Sequence, residues 1–88
     1  MIHRKLKVRN QLGLHTRAAT KLVDLAKRFE SQIKLTYRKR TVDCKSIMGV
    51  ITLGAQKEDM LDFKIEGNDE KESFSAIKKL MKNKFGEN

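Results

Sequence analysis

Along this chain the apolar residues recur at every second position, then at every third or fourth, and the two spacings trade places from one end to the other. Period two belongs to a strand with one buried face, and a period near 3.6 to a helix with one apolar stripe. A chain that keeps alternating between them must build both kinds of element and pack them in layers around a core. At 88 residues that core serves a single domain, 1–88, with nothing left for a second.

Ile2, Leu6 and Val8 share one parity and Lys5, Lys7 and Arg9 the other, which predicts a half-buried strand from Ile2 to Val8. Ala18, Ala19, Leu22, Val23, Ala26 and Phe29 predict a helix from about Thr16 to Arg28. Ile33, Leu35 and Tyr37, then Val42 and Cys44 beyond the basic turn Arg38-Lys39-Arg40, predict a hairpin. Ile47, Met48, Val50, Ile51 and Leu53 predict a short helix that Ser46 caps and Gly54 stops. Leu61, Phe63 and Ile65 give a fourth strand. Asp69 and Glu72 have capping-box spacing ahead of a last helix whose stripe runs through Phe74, Ile77, Leu80, Met81 and Phe85 and ends among lysines. The order is βαββαβα. The expected fold is α+β, an open-faced β-sandwich in which a four-stranded antiparallel sheet carries three helices on one face.

Twenty Lys and Arg against eleven Asp and Glu leave a net charge of +9, so the partners should be acidic. Charge alone does not separate protein, lipid and nucleic acid. MIHRKLKVRN alternates basic and apolar residues where a secretory signal would be continuously apolar, and no later stretch is long enough to span a bilayer, so a cytoplasmic protein without a membrane partner is expected. Cys44 is the only cysteine, which rules out an intrachain disulfide and reads as a small apolar side chain; no Cys/His group has zinc-ligand spacing, and no metal is expected.

The chemistry concentrates in GLHTRAAT, residues 13–20. Gly13 permits a sharp turn after the first strand. If Thr16 caps the helix, His15 stands just before its amino end, where unpaired N–H groups and the positive end of the helix dipole favour an anion. Arg17 adds a planar, permanent cation suited to phosphate oxygens. A neutral imidazole has a lone pair of its own, so His15 can attack without a general base. No carboxylate lies near it in sequence, though Asp24, Asp43 or Asp62 could approach in space. On the motif alone, a solvated loop histidine beside a surface arginine is the default reading, and it is the context of the rest of the chain that reverses it.

GLHTRAAT resembles the active-site signature of the HPr-type phosphocarriers of the phosphoenolpyruvate-dependent phosphotransferase system. CKSIMGVITLG, residues 44–54, resembles that family's second signature, around a regulatory serine. The likeness extends over essentially the whole chain. It implies a carrier within a transferase system, with His15 taking a phosphoryl group on Nδ1 from phosphorylated enzyme I and giving it to the histidine of a IIA protein. Arg17 and the amides of Thr16 and Ala18 would hold the phosphate, with no metal and no organic cofactor. Ser46 would be open to a dedicated kinase, although its capping role is sufficient by itself to account for it. Ala18 departs from the family, which usually has proline there to fix the first turn. NQLG (10–13), KLVDL (21–25) and LMKNKFGEN (80–88) look more like the nitrogen-related branch, NPr, than like the sugar-transport HPr.

Ile47, Met48 and Ile51 cannot all face inward on a helix whose Val50 and Leu53 point to the core. Together with Thr20, Lys21 and Lys27 on the first helix, they form the expected docking surface of a monomer, an apolar patch with a basic rim that also takes in Arg17 and Lys45. A small basic nucleic-acid-binding domain is the alternative, since the element order and the charge suit RNA-binding folds as well. Against it, aromatic residues make up only 6% of the chain, too few for a stacking platform, and no G-x-x-G clamp is present. His3, at the start of the first strand, reads as exposed and without a role.

Overall fold

The last strand of the chain is laid into the middle of the sheet. A computed structural model describes residues 1–87. Strands β1 (Ile2–Lys7), β2 (Gln32–Tyr37), β3 (Arg40–Asp43) and β4 (Met60–Glu66) form one antiparallel sheet in the order β1-β4-β2-β3. Helices α1 (Thr16–Ala26), α2 (Ile47–Thr52) and α3 (Glu70–Lys82) cover one face, and a 3-10 turn, Lys84–Gly86, follows α3.

Register explains the burial. Ile2, Ile65 and Ile33 lie in one row across the sheet, and Phe63, Leu35 and Val42 in the next, pointing at the helices. Ala18, Ala19, Leu22, Val23 and Ala26 of α1 and Ile77 and Met81 of α3 meet them in one core. Burying a side chain such as Phe63 or Leu22 is worth roughly 1.5–3 kcal/mol, which is what holds α1 and α3 on the sheet. Rows of the opposite parity, such as Lys5, Asp62, Thr36 and Thr41, face outward and carry polar side chains. His3 belongs to this face and pairs with Asp62 at 2.6 Å.

Several element ends differ from expectation, each for a local reason. β1 stops at Lys7 because Val8 turns its backbone to the loop before β4, donating to Asp59 and accepting from Glu58. The helix expected to reach Arg28 ends at Ala26, where the bonds from Arg28 to Leu25 and Phe29 to Ala26 tighten to i→i−3 spacing. The hairpin turn is Arg38-Lys39 alone, since Arg40 already pairs with Tyr37. The capping box does not form. Asp69 holds the N-cap position but makes no side-chain bond to α3; its carboxylate takes the amides of Glu30 (2.9 Å) and Ser31 (3.0 Å) and the Ser31 hydroxyl. Those bonds, the Ser31 hydroxyl first, hold the Asp69 carboxyl below its ordinary range and tie α3 to the α1–β2 loop. Phe85 is buried as its spacing implies, yet it lies beyond α3 in a left-handed turn.

Ser46 caps α2 as expected, its hydroxyl accepting the Gly49 amide at 3.1 Å. Cys44 is fully buried, and burial, reinforced by Asp43, pushes its thiol up to about 12. Among the described residues no helix is long and apolar enough to cross a membrane.

Candidate functional site around His15

The site starts from a turn that only glycine fits without strain. Gly13 has φ +71°, and a Cβ there would lie 2.8 Å from both the Ala55 carbonyl oxygen and the Gln56 Cα. The next residue locks the loop in place: the Leu14 amide donates to Ala55 at 2.9 Å and its side chain is buried. His15 follows in extended conformation and is itself the N-cap of α1, its carbonyl accepting the Ala19 amide at 2.8 Å. Thr16, expected to be the cap, is therefore the first helical residue. His15 makes no side-chain cap bond and the first turn contains no acidic residue, so among the described residues no side chain caps the amides of Thr16, Arg17 and Ala18, which follow His15 directly in the chain. The turn forms without the usual proline because the Ala18 side chain is packed fully into the core.

The imidazole is half-buried, and its Nε2 lies 2.7 Å from Oε2 of Glu87. Among the described residues nothing hydrogen-bonds Nδ1. None of the three aspartates considered from sequence supplies this carboxylate: Asp62 pairs with His3, Asp43 accepts the Lys45 amide, and Asp24 makes no bond to the ring. Burial works against the Glu87 carboxylate, but the hydrogen bonds from Asn10 and His15, helped by Lys21, outweigh it and hold the carboxyl below its ordinary range. Arg17 is exposed and lines the same depression as Leu12, Lys21 and Glu87. Leu12, 70% exposed, is an apolar neighbour that the strand and helix periodicities passed over because it sits in the loop between them.

The other candidates are spread more widely. Thr20 donates to the Thr16 carbonyl at 2.8 Å, and the Lys21 ammonium to the Phe85 carbonyl at 2.7 Å. Lys27 lies at the C-cap of α1, an 11-residue helix, so about 16 Å of helix separates it from His15. α2 packs against α1, presenting Met48 at 69% exposure while Ile47 and Ile51 are half-buried against the core.

A family model described as "PTS HPr component phosphorylation site" matches residues 2–83. The phosphocarrier protein HPr of Cupriavidus necator is 44% identical, the match covering 99% of this chain and 98% of that protein. The phosphocarrier protein HPr of Xylella fastidiosa is 40% identical over the same shares. Among solved structures, HPr-C-His from Thermoanaerobacter tengcongensis superimposes with a TM-score of 0.95 at 36% identity, covering 100% of this chain and 99% of that one. With agreement over the full length, and GLHTRAAT carried at the mouth of α1, this chain belongs to the HPr family of the phosphotransferase system.

Proposed function

We propose that the chain is a phosphocarrier in which Nδ1 of His15 takes a phosphoryl group from phosphorylated enzyme I and delivers it to a histidine of a IIA protein. The observation that carries this reading is the nucleophile at the N-cap of a helix with no acid in its first turn, its Nδ1 unoccupied. In each direction an N–P bond forms at one imidazole as the N–P bond at the other breaks, and the electron pair returns to the departing nitrogen. Such a transfer asks a protein for position and charge stabilisation rather than covalent chemistry. The amides of Thr16 and Ala18 and the Arg17 guanidinium supply both, meeting the equatorial oxygens as charge moves across. The carrier works in the cytoplasm and as a monomer, which leaves the His15 face free for each partner in turn.

Docking falls to Met48, flanked by Ile47 and Ile51, with Thr20, Arg17, Lys21 and Lys27 as polar and basic surroundings for an acidic partner. Met48→Asp should slow transfer from enzyme I by roughly 10–100-fold, the scale of losing one interface anchor. Because the side chain is exposed, the melting temperature should not move. Normal transfer by Met48→Asp and Ile47→Asp together would take this surface out of the interface.

On the same reading Ser46, half-exposed at the start of α2, is a regulatory phosphorylation site for a kinase. Ser46→Ala should cost about 1 kcal/mol of stability in a urea melt through loss of the cap, with transfer nearly unchanged. Ser46→Asp keeps a capping oxygen but adds a charge that repels an acidic partner, so it should transfer more slowly than Ser46→Ala. Equal kinetics for the two variants would dismiss charge repulsion as the control.

The nucleic-acid alternative lacks a stacking platform, since among the described residues the outward rows of the sheet present no Phe, Tyr or Trp and their one imidazole, His3, is paired with Asp62. The deciding experiment is intact mass after incubation with phosphoenolpyruvate, Mg²⁺ and, in parallel, sugar-branch or nitrogen-branch enzyme I. One acid-labile phosphoryl group is the expected gain, and the faster donor identifies the branch. No gain with either donor would end the carrier reading.

A further inference from the structure

The segment after α3, residues 84–87, is built as a hook that brings a carboxylate back to the imidazole. After α3, Lys84 (φ 57°), Phe85 (φ 55°) and Gly86 (φ 77°) turn through the left-handed region, and two of the three carry side chains. Side chains are disfavoured in that region, so the turn persists only because something outweighs the strain. Phe85 is fully buried in the core and its carbonyl takes the Lys21 ammonium at 2.7 Å. The next residue is Glu87, whose side chain is 14% exposed. Both of its oxygens are engaged, Oε1 by Asn10 Nδ2 at 3.0 Å and Oε2 by His15 Nε2 at 2.7 Å. Asn10 is fully buried, and the same Nδ2 also donates to the Gly13 carbonyl at 2.6 Å, which ties the hook to the turn that positions His15.

We propose that Glu87, oriented by Asn10, is a positioning residue that fixes His15 as its Nε2–H tautomer with the Nδ1 lone pair turned outward. The inference rests on His15 being the phosphoryl acceptor and concerns how that acceptor is set. A carboxylate only accepts hydrogen bonds, so the nitrogen facing it must carry the proton, and in a neutral imidazole the other nitrogen then holds the lone pair. The contact also settles the orientation of the ring, as a carboxylate behind a catalytic or metal-bound histidine does. When Nδ1 forms its bond to phosphorus, Nε2 keeps its proton, and the positive charge on the ring is met by Glu87 on the edge away from the phosphoryl group. When that bond breaks, the pair returns to Nδ1. No proton needs to arrive or leave in either direction.

The test uses the full chain with Glu87→Ala and Glu87→Gln. Imidazole ¹⁵N NMR at about pH 8.5, above the ordinary histidine range, reads the tautomer with no phosphoryl donor present. Wild type should show Nε2–H alone and Glu87→Ala a mixture with Nδ1–H. Uptake from phosphorylated enzyme I should fall about 10-fold or more in Glu87→Ala, as removal of such supporting carboxylates does elsewhere. Glu87→Gln, whose amide oxygen can still accept from Nε2, should keep the tautomer and recover part of the rate. Melting temperatures close to wild type would separate this loss from unfolding. An unchanged tautomer in Glu87→Ala overturns the proposal, and so does a changed tautomer with wild-type uptake. If wild type itself takes up no phosphate, the carrier reading fails instead, while the NMR result still decides what Glu87 does to the ring.

Discussion

His15→Ala should emerge from incubation with phosphoenolpyruvate, Mg²⁺ and enzyme I at its unphosphorylated mass. Total loss is expected because nothing else among the described residues is placed to substitute. Cys44 is fully buried with its thiol pushed up to about 12. His3 lies on the outward face of β1 against Asp62, away from any helix start. The fold should survive, since the imidazole is half-exposed and contributes no core contact; losing its bond to Glu87 costs about 1 kcal/mol. Near-wild-type unfolding with no mass gain assigns the loss to chemistry. A phosphoryl group that still appears in His15→Ala moves the acceptor elsewhere.

Most of the elements were legible because burial on one face leaves a periodic trace. Ile33, Leu35, Leu61, Phe63 and Ile65 alternate as written and all are buried, and Ser46 and Gly54 bracket α2 as their chemistry requires. The placing of β4 between β1 and β2 leaves no such trace, because alternation records which face is buried and not which strand lies alongside. Asp69 has the residue type and spacing of a cap yet spends its carboxylate on Glu30 and Ser31, a tertiary choice that local pattern does not register. The same division runs through the site. His15, Arg17 and the open amides are neighbours in sequence and could be read together, with the cap one residue from where it was expected. Glu87 could not, being 72 residues away and delivered by a left-handed turn that the apolar spacing of Phe85 reads as more helix.

Gly13 is where the fold and the site depend on one backbone conformation, and Gly13→Ala should cost about 3 kcal/mol. Roughly 1–2 kcal/mol comes from holding alanine at φ +71°. The rest is steric, because the new Cβ lies 2.8 Å from the Ala55 carbonyl oxygen and the Gln56 Cα, and backbone cannot swing aside as a side-chain tip can. Relief requires moving the Ala55–Gln56 segment, which holds the Leu14 amide and so anchors the loop that delivers His15. Against the ~5–15 kcal/mol of an ordinary small domain this is a large loss, and it should appear as a clear drop in the urea midpoint. Gly54→Ala is the matched control: its φ is +67°, but a Cβ there meets nothing within 4 Å. It should cost only the conformational 1–2 kcal/mol and leave transfer intact. At a temperature where both variants are folded, Gly13→Ala should accept phosphoryl groups more slowly and Gly54→Ala at the wild-type rate. If both melt alike and transfer alike, the close approach at Gly13 does not position His15, and the placement must come from α1 and the Glu87 hook alone.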